Sequence, residues 1–170
     1  VNGTEFKRGD LDGTTSGFSN NEIVPGELAG VGLNALVIGN VLAVEIRPAA
    51  GNTAGEPIRS GSVTVENAPP VVTDPQITPL EPTAASVLEI DYTFFDNDIE
   101  QGSTTQSDQS SIRWFRKRGT EETFTEVTEV ANNETISANF TLSGDQWYAE
   151  VIPFDGISVG TTARSNTVTI

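Results

Sequence analysis

The sequence predicts an all-β chain of tandem Greek-key sandwiches in which the first copy is incomplete. Three observations predict it. The polar residues are mainly Thr, Ser, Asn and Gly rather than Lys and Glu, which favours strands and turns over helices. One block of the chain recurs 105 positions later. Around the second occurrence, short strand-like runs alternate with Asp/Asn/Gly/Pro/Ser clusters at the spacing of a sandwich.

The recurrence orders everything else. Residues 39–65 lie on residues 144–170 without a gap, and nine of the 27 pairs are identical. Unrelated segments would share roughly one or two. The alignment also separates the two faces of a strand. Trp147, Ala149 and Val151 match Leu42, Val44 and Ile46, all apolar, whereas Tyr148, Glu150 and Ile152 match Ala43, Glu45 and Arg47. Period-2 alternation held across both copies predicts one buried face. Trp147 and Leu42 are thus expected in the core, with Glu45 and Glu150 pointing outward.

The first copy, residues 1–66, reads as the C-terminal strands of such a unit. Phe6-Lys7-Arg8-Gly9 is similar to Arg116-Lys117-Arg118-Gly119, which sets Val1 near the third strand and leaves residues 71–109 without counterparts. Half a sandwich exposes an apolar face and a bare edge. The expectation is that residues outside this span complete it, from the same polypeptide or from a neighbouring chain. A cover formed by residues 13–32 is the poorer alternative. The second copy, residues 67–170, reads as complete. After the linker Asn67-Ala68-Pro69-Pro70, strands are predicted over 71–77, 87–95, 111–117, 124–127, 135–142, 146–152 and 165–170. Trp114, beside Ile112 on the third strand, occupies the place of the central tryptophan of an immunoglobulin-like sandwich. No helix longer than one turn is predicted.

Asn67-Ala68-Pro69-Pro70-Val71-Val72, Tyr92-Thr93-Phe94-Phe95-Asp96-Asn97-Asp98, Ile112-Arg113-Trp114-Phe115, Gly144-Asp145-Gln146-Trp147-Tyr148 and Pro153-Phe154-Asp155-Gly156 form a recognisable pattern. It resembles the tandem immunoglobulin-like, cadherin-like repeats of large bacterial and archaeal surface proteins. The resemblance covers residues 67–170 and the back half of the first copy. It implies an extracellular, cell-surface location in an adhesin, a surface layer or a filament, often stiffened by calcium. Fold likeness alone does not carry function.

Composition narrows the chemistry. The net charge is −15 and only Lys7 and Lys117 are lysines, so nucleic acid and anionic membrane are poor partners. The chain has no Cys, Met or His, which excludes disulfides, thiolate or imidazole metal sites, and His- or Cys-based nucleophilic triads. Carboxylate pairs fall in turns with no aromatic cleft around them, so an enzyme is not expected. No apolar run reaches the length of a membrane span. No signal peptide is present either; if the protein is exported, its signal is expected upstream of Val1.

The densest oxygen-donor run is Asp96-Asn97-Asp98-Ile99-Glu100, in the loop after the second strand. With Asp155 and the linker residues Glu66 and Asn67 it forms a candidate calcium site, because calcium takes six to eight carboxylate, amide and carbonyl oxygens. Asp- and Asn-rich turns are the competing reading. Ala50 stands at the Asp155 position of the first copy. Asn2, Asn133 and Asn139 head glycosylation sequons. Arg8-Gly9-Asp10 spells a receptor-binding tripeptide but reads better as a strand end and turn. Alternation from Trp114 points Lys117 outward, which disfavours a buried isopeptide crosslink. Two functions remain open: a self-associating structural module with neighbouring repeats or copies of itself as partners, and an adhesin module that binds a glycan or protein.

Overall fold

Alternating apolar and polar residues should build strands, and the computed structural model, which describes residues 37–43, 45–46, 48–50, 53–100 and 102–170, is all-β there apart from single helical turns. Two units are distinguished: Val1–Asn67 with Gln101–Ser103, and Ala68–Glu100 with Thr104–Ile170.

The described part of the first unit is one long antiparallel hairpin. Strands β1 (Val41–Leu42), β2 (Glu45–Ile46) and β3 (Ala49–Ala50) run out, and β4 (Thr53–Ala54), β5 (Ile58–Arg59) and β6 (Val63–Thr64) run back. Gly39, at φ 82°, starts it with an N–H···O bond of 2.9 Å to Val65. A positive φ there is cheap only for glycine.

The second unit is a two-sheet sandwich. Strands β7 (Val71–Thr78) and β8 (Leu88–Phe95) are followed by one turn of helix, α1 (Asn97–Glu100). Then come β9 (Ser111–Lys117), β10 (Thr125–Glu126), β11 (Thr135–Ile136), β12 (Gln146–Ile152), β13 (Ala163–Arg164) and β14 (Val168–Thr169). One sheet has the order β11-β8-β7; the other runs β10-β9-β12-β13, with β14 also on β12. Trp114, Trp147, Ala149 and Val151 from the larger sheet form one buried cluster with Val72, Ile77, Leu88 and Ile90 from the smaller. The two tryptophans sit on neighbouring strands of the same sheet and meet edge to face, 6.5 Å between centroids. That geometry suits the ring quadrupoles. Trp114 Nε1 donates to the Asn133 carbonyl at 2.9 Å, so this buried donor is satisfied.

The pairing of the first hairpin reappears in the second unit, shifted by 105 residues. Val41↔Thr64 and Glu45↔Arg59 correspond to Gln146↔Thr169 and Glu150↔Arg164. The closing bonds Gly39 N–H to Val65 O and Gly55 N–H to Pro48 O correspond to Gly144 to Ile170 and Gly160 to Pro153. Even the one-residue slip between the two halves of each hairpin is shared.

The sequence reading needs correction at several points. Residues 135–142 are not one strand: β11 ends at Ile136, and Ala138–Phe140 forms a 3-10 turn capped by the Ser137 side chain. The predicted last strand, 165–170, shortens to Val168–Thr169, and a separate pairing at Ala163–Arg164 precedes it. The fourth predicted strand shortens to Thr125–Glu126. Leu42 is only half-buried, while its counterpart Trp147 is fully buried. Expectations for residues 1–36, including Arg8-Gly9-Asp10, Asn2 and a cover from 13–32, lie outside the described residues.

Candidate functional site

The acidic turn after β8 uses its carboxylates locally. Asp96 is buried and caps α1: its Oδ1 accepts from the N–H groups of Asp98 (2.7 Å) and Ile99 (3.2 Å). Asp is a favoured helix cap because those first amides have no partner inside the helix. Asp98 Oδ2 accepts from Ala68 N–H at 2.8 Å and so ties the start of the unit to the turn. Asn97 and Glu100 are exposed.

Asp155 is fully buried on the loop between β12 and β13. Its Oδ1 accepts from Ile157 and Ser158 N–H, both at 2.6 Å, and its Oδ2 from Gln106 Nε2 at 3.2 Å and Ser158 Oγ at 3.4 Å. Gln109 N–H to Phe154 O, at 2.8 Å, joins the two loops again. Asp155 thus organises a turn of the kind Asp side chains favour. Glu66 is exposed and Asn67 half-buried at the end of the first unit. Among the described residues, no group of three or more acidic side chains is arranged to hold a metal ion. Among the described residues, Asp96 Oδ2 is a buried oxygen with no hydrogen-bond donor. Asn133 and Asn139 are both exposed, as a glycan would require.

Two features escaped the sequence reading. Asp145, almost fully buried, accepts from Arg118 Nε and Nη2, both at 3.2 Å, and from Leu142 N–H at 3.0 Å. The other is the outer face of the larger sheet. Phe115 and Tyr148 are cross-strand partners whose rings stack at 4.7 Å, and Phe124 meets Tyr148 edge-on at 4.8 Å. Arg164 lies 3.6 Å over Tyr148, and Lys117 lies over Phe124. Tyr148 is therefore buried although it points away from the core. Alternation in β9 and the pairing of β9 with β12 were the signals that could have found this face.

Arg113 completes it. Its Nη2 and Nε bond both oxygens of Glu126, at 2.6 and 3.1 Å, and its Nη1 reaches Glu150 at 3.5 Å. The hydrogen bond from Arg113 is the main cause holding the Glu126 carboxyl below its usual range, and that same bond raises the guanidinium. On β8 of the smaller sheet, burial first and then Asp108 push the Tyr92 phenol up; Tyr92 donates to Asp108 Oδ2 at 3.2 Å.

No protein-family model matches the chain, and no curated protein matches it.

Proposed function

We propose that the chain is a structural module of an extracellular surface layer, fibre or stalk, one of a series of immunoglobulin-like repeats that associate with copies of themselves. The observation that carries this reading is the shared pairing register, displaced by 105 residues, of the two hairpins. Repetition of one packed unit is how a chain acquires length and stiffness at small sequence cost. The absence of His and Cys and the outward-facing acidity agree with a scaffold role. The alternative, an adhesin module that takes a glycan, needs exposed aromatic platforms. On the described face the rings of Phe115, Phe124 and Tyr148 are instead stacked on one another and under cations.

Immunogold labelling of intact cells with antibody against residues 68–170 tests the reading. Regular label on the cell surface is expected; label confined to the interior would sink it. A specific glycan-array signal from residues 1–170 would favour the adhesin instead.

Calcium belongs to this reading through the donor-free, buried Asp96 Oδ2. The other oxygen of Asp96 and the Asp98 carboxylate already accept backbone N–H groups, so an ion here would take most of its shell from carbonyls and water. If it binds, the melting temperature rises with calcium, by a term of about 2.7 kcal/mol at a hundredfold excess over Kd. Identical melting in calcium and in chelator would remove the ion.

A further inference from the structure

The cations of the second unit all belong to one of its two sheets or to the turn that follows β9. Arg113, Lys117 and Arg164 are on the outer face of that sheet, whereas Arg116 falls in alternation with Ile112 and Trp114 and lies over the Trp147 ring. Residues 68–170 contain five, namely Arg113, Arg116, Lys117, Arg118 and Arg164, and each lies in β9 or β13 or directly after β9. Strands β7, β8 and β11 have none. The outer face of their sheet carries exposed Glu89 and Asp91, with Glu134 just before β11. The front of the sandwich, the outer face of the larger sheet, thus carries cations beside Glu126 and Glu150, and among the described residues the back carries carboxylates alone.

The cations are not equally engaged. Arg113 is held by Glu126 and Glu150, and Arg118 by Asp145. Lys117 and Arg164 lie over aromatic rings and have no carboxylate partner among the described residues. A cation on an aromatic ring is ordered in advance, so a carboxylate that meets it there pays less ordering entropy. Each face also has an apolar part. Phe115 and Phe124 are half-buried at the front, and Val71 and Phe95, cross-strand partners at the back, are 49% and 48% exposed.

We infer that the outer face of the β9–β12–β13 sheet docks onto the outer face of the β7–β8 sheet of a second copy of this chain. Lys117 and Arg164 of one copy face Glu89 and Asp91 of the next. Because two different faces meet, the contact is heterologous, and every copy keeps one free front and one free back. Such contacts propagate into open fibres or layers unless the rotation closes a ring. This inference rests on the self-associating reading above and names the surface that reading requires.

Three versions of residues 1–170 test it by sedimentation velocity at low ionic strength: the natural chain, Lys117→Glu/Arg164→Glu, and Glu89→Lys/Asp91→Lys. The natural chain is expected to gain mass with concentration and lose it with salt. Each variant alone should associate at least about tenfold more weakly. An equimolar mixture of the two variants should recover assembly, because each reversed face then meets an opposite charge. The acidic-face pair touches no packed ring, so it keeps the test valid should Arg164→Glu loosen Tyr148. A natural chain that stays monomeric, or a mixture that fails to assemble although both variants melt like the natural chain, would overturn the inference. Association undiminished in both variants would overturn this interface while leaving the structural-module reading standing. A monomeric chain that binds an acidic polysaccharide through Lys117 and Arg164 would overturn the choice of partner.

Discussion

The side chain of Asn166 serves both backbone groups of Ile77. Asn166 Oδ1 accepts from Ile77 N–H at 2.6 Å, and Asn166 Nδ2 donates to Ile77 O at 3.3 Å. Ile77 lies on β7, which among the described residues is an edge strand with no further strand to meet its outward amide. Asn166 stands in the break between β13 and β14, where Ser165 keeps hold of the sheet through Ser165 N–H to Ala149 O and Ala149 N–H to Ser165 Oγ, both 2.9 Å. The slip in one sheet thus frees a side chain to finish the edge of the other, a use of bulges that also blunts edge pairing.

Asn166→Ala should therefore cost about 1–3 kcal/mol, the usual penalty for leaving buried backbone groups without partners. The Ile77 amide should lose most of its protection from hydrogen exchange. Unchanged exchange at Ile77 would contradict the bridge.

How legible was this in the sequence? The bounds of β9 and β12 agree with the structure because each strand has one fully buried face, and alternation is then unambiguous: Ile112 and Trp114 against Arg113 and Phe115. Residues 135–142 misled because Ile136, Phe140 and Leu142 alternate like a strand. Yet the Ser137 side chain accepts from Asn139 N–H, and the Thr141 hydroxyl donates to Ala138 O at 3.0 Å, so a 3-10 turn takes the backbone instead. Alternation puts Tyr148 on the same face as Glu150, and its burial there depends on Phe115 and Arg164 from neighbouring strands. Composition alone does not supply that register. At Asp96 and Asp155 the sequence offers oxygen-rich residue types, but it does not show that these carboxylates also accept backbone amides.

Trp114 gives the second prediction. Its ring is fully buried against Trp147, and its Nε1 donates to the Asn133 carbonyl. Trp114→Ala should destabilise the second unit by about 3–5 kcal/mol through lost contacts and the cavity left behind. Trp114→Phe should cost less, since it keeps most of the apolar area. A Trp114→Ala chain that melts like the natural one would mean the core lies elsewhere.

A third prediction concerns acid. Because Arg113 holds the Glu126 carboxyl below its unfolded value, the stabilising contribution is complete above the unfolded value of about 4.3. It is lost as pH falls through the lower folded value. The Arg113 guanidinium stays charged across this window. Carbon-detected NMR titration should place the Glu126 midpoint below that of an ordinary glutamate, and Arg113→Gln should raise it. Equal midpoints in the two proteins would show that the pair does not hold in solution.

The last prediction tests the most crowded glycine. A Cβ built on Gly160 would fall 1.9 Å from Pro70 O and 3.0 Å from Pro70 C, with Pro153 Cβ at 3.2 Å. No real carbon sits that close to a carbonyl oxygen, and backbone atoms cannot rotate aside as a side-chain tip can. Gly160 N–H is meanwhile fixed to Pro153 O at 2.9 Å, so the loop cannot simply lift away. Gly55, the matching position 105 residues earlier, gives a natural control, because its Cβ would meet the ring carbon Pro48 Cγ at 3.1 Å and the carbonyl oxygen at 3.4 Å. Gly160→Ala should cost about 3 kcal/mol, at the upper end of ordinary overpacking, and Gly55→Ala clearly less. Both tryptophans belong to the second unit, so the denaturant midpoint followed by their fluorescence reports the Gly160 change directly. An unshifted midpoint in Gly160→Ala would mean that Pro70 does not pack against this loop.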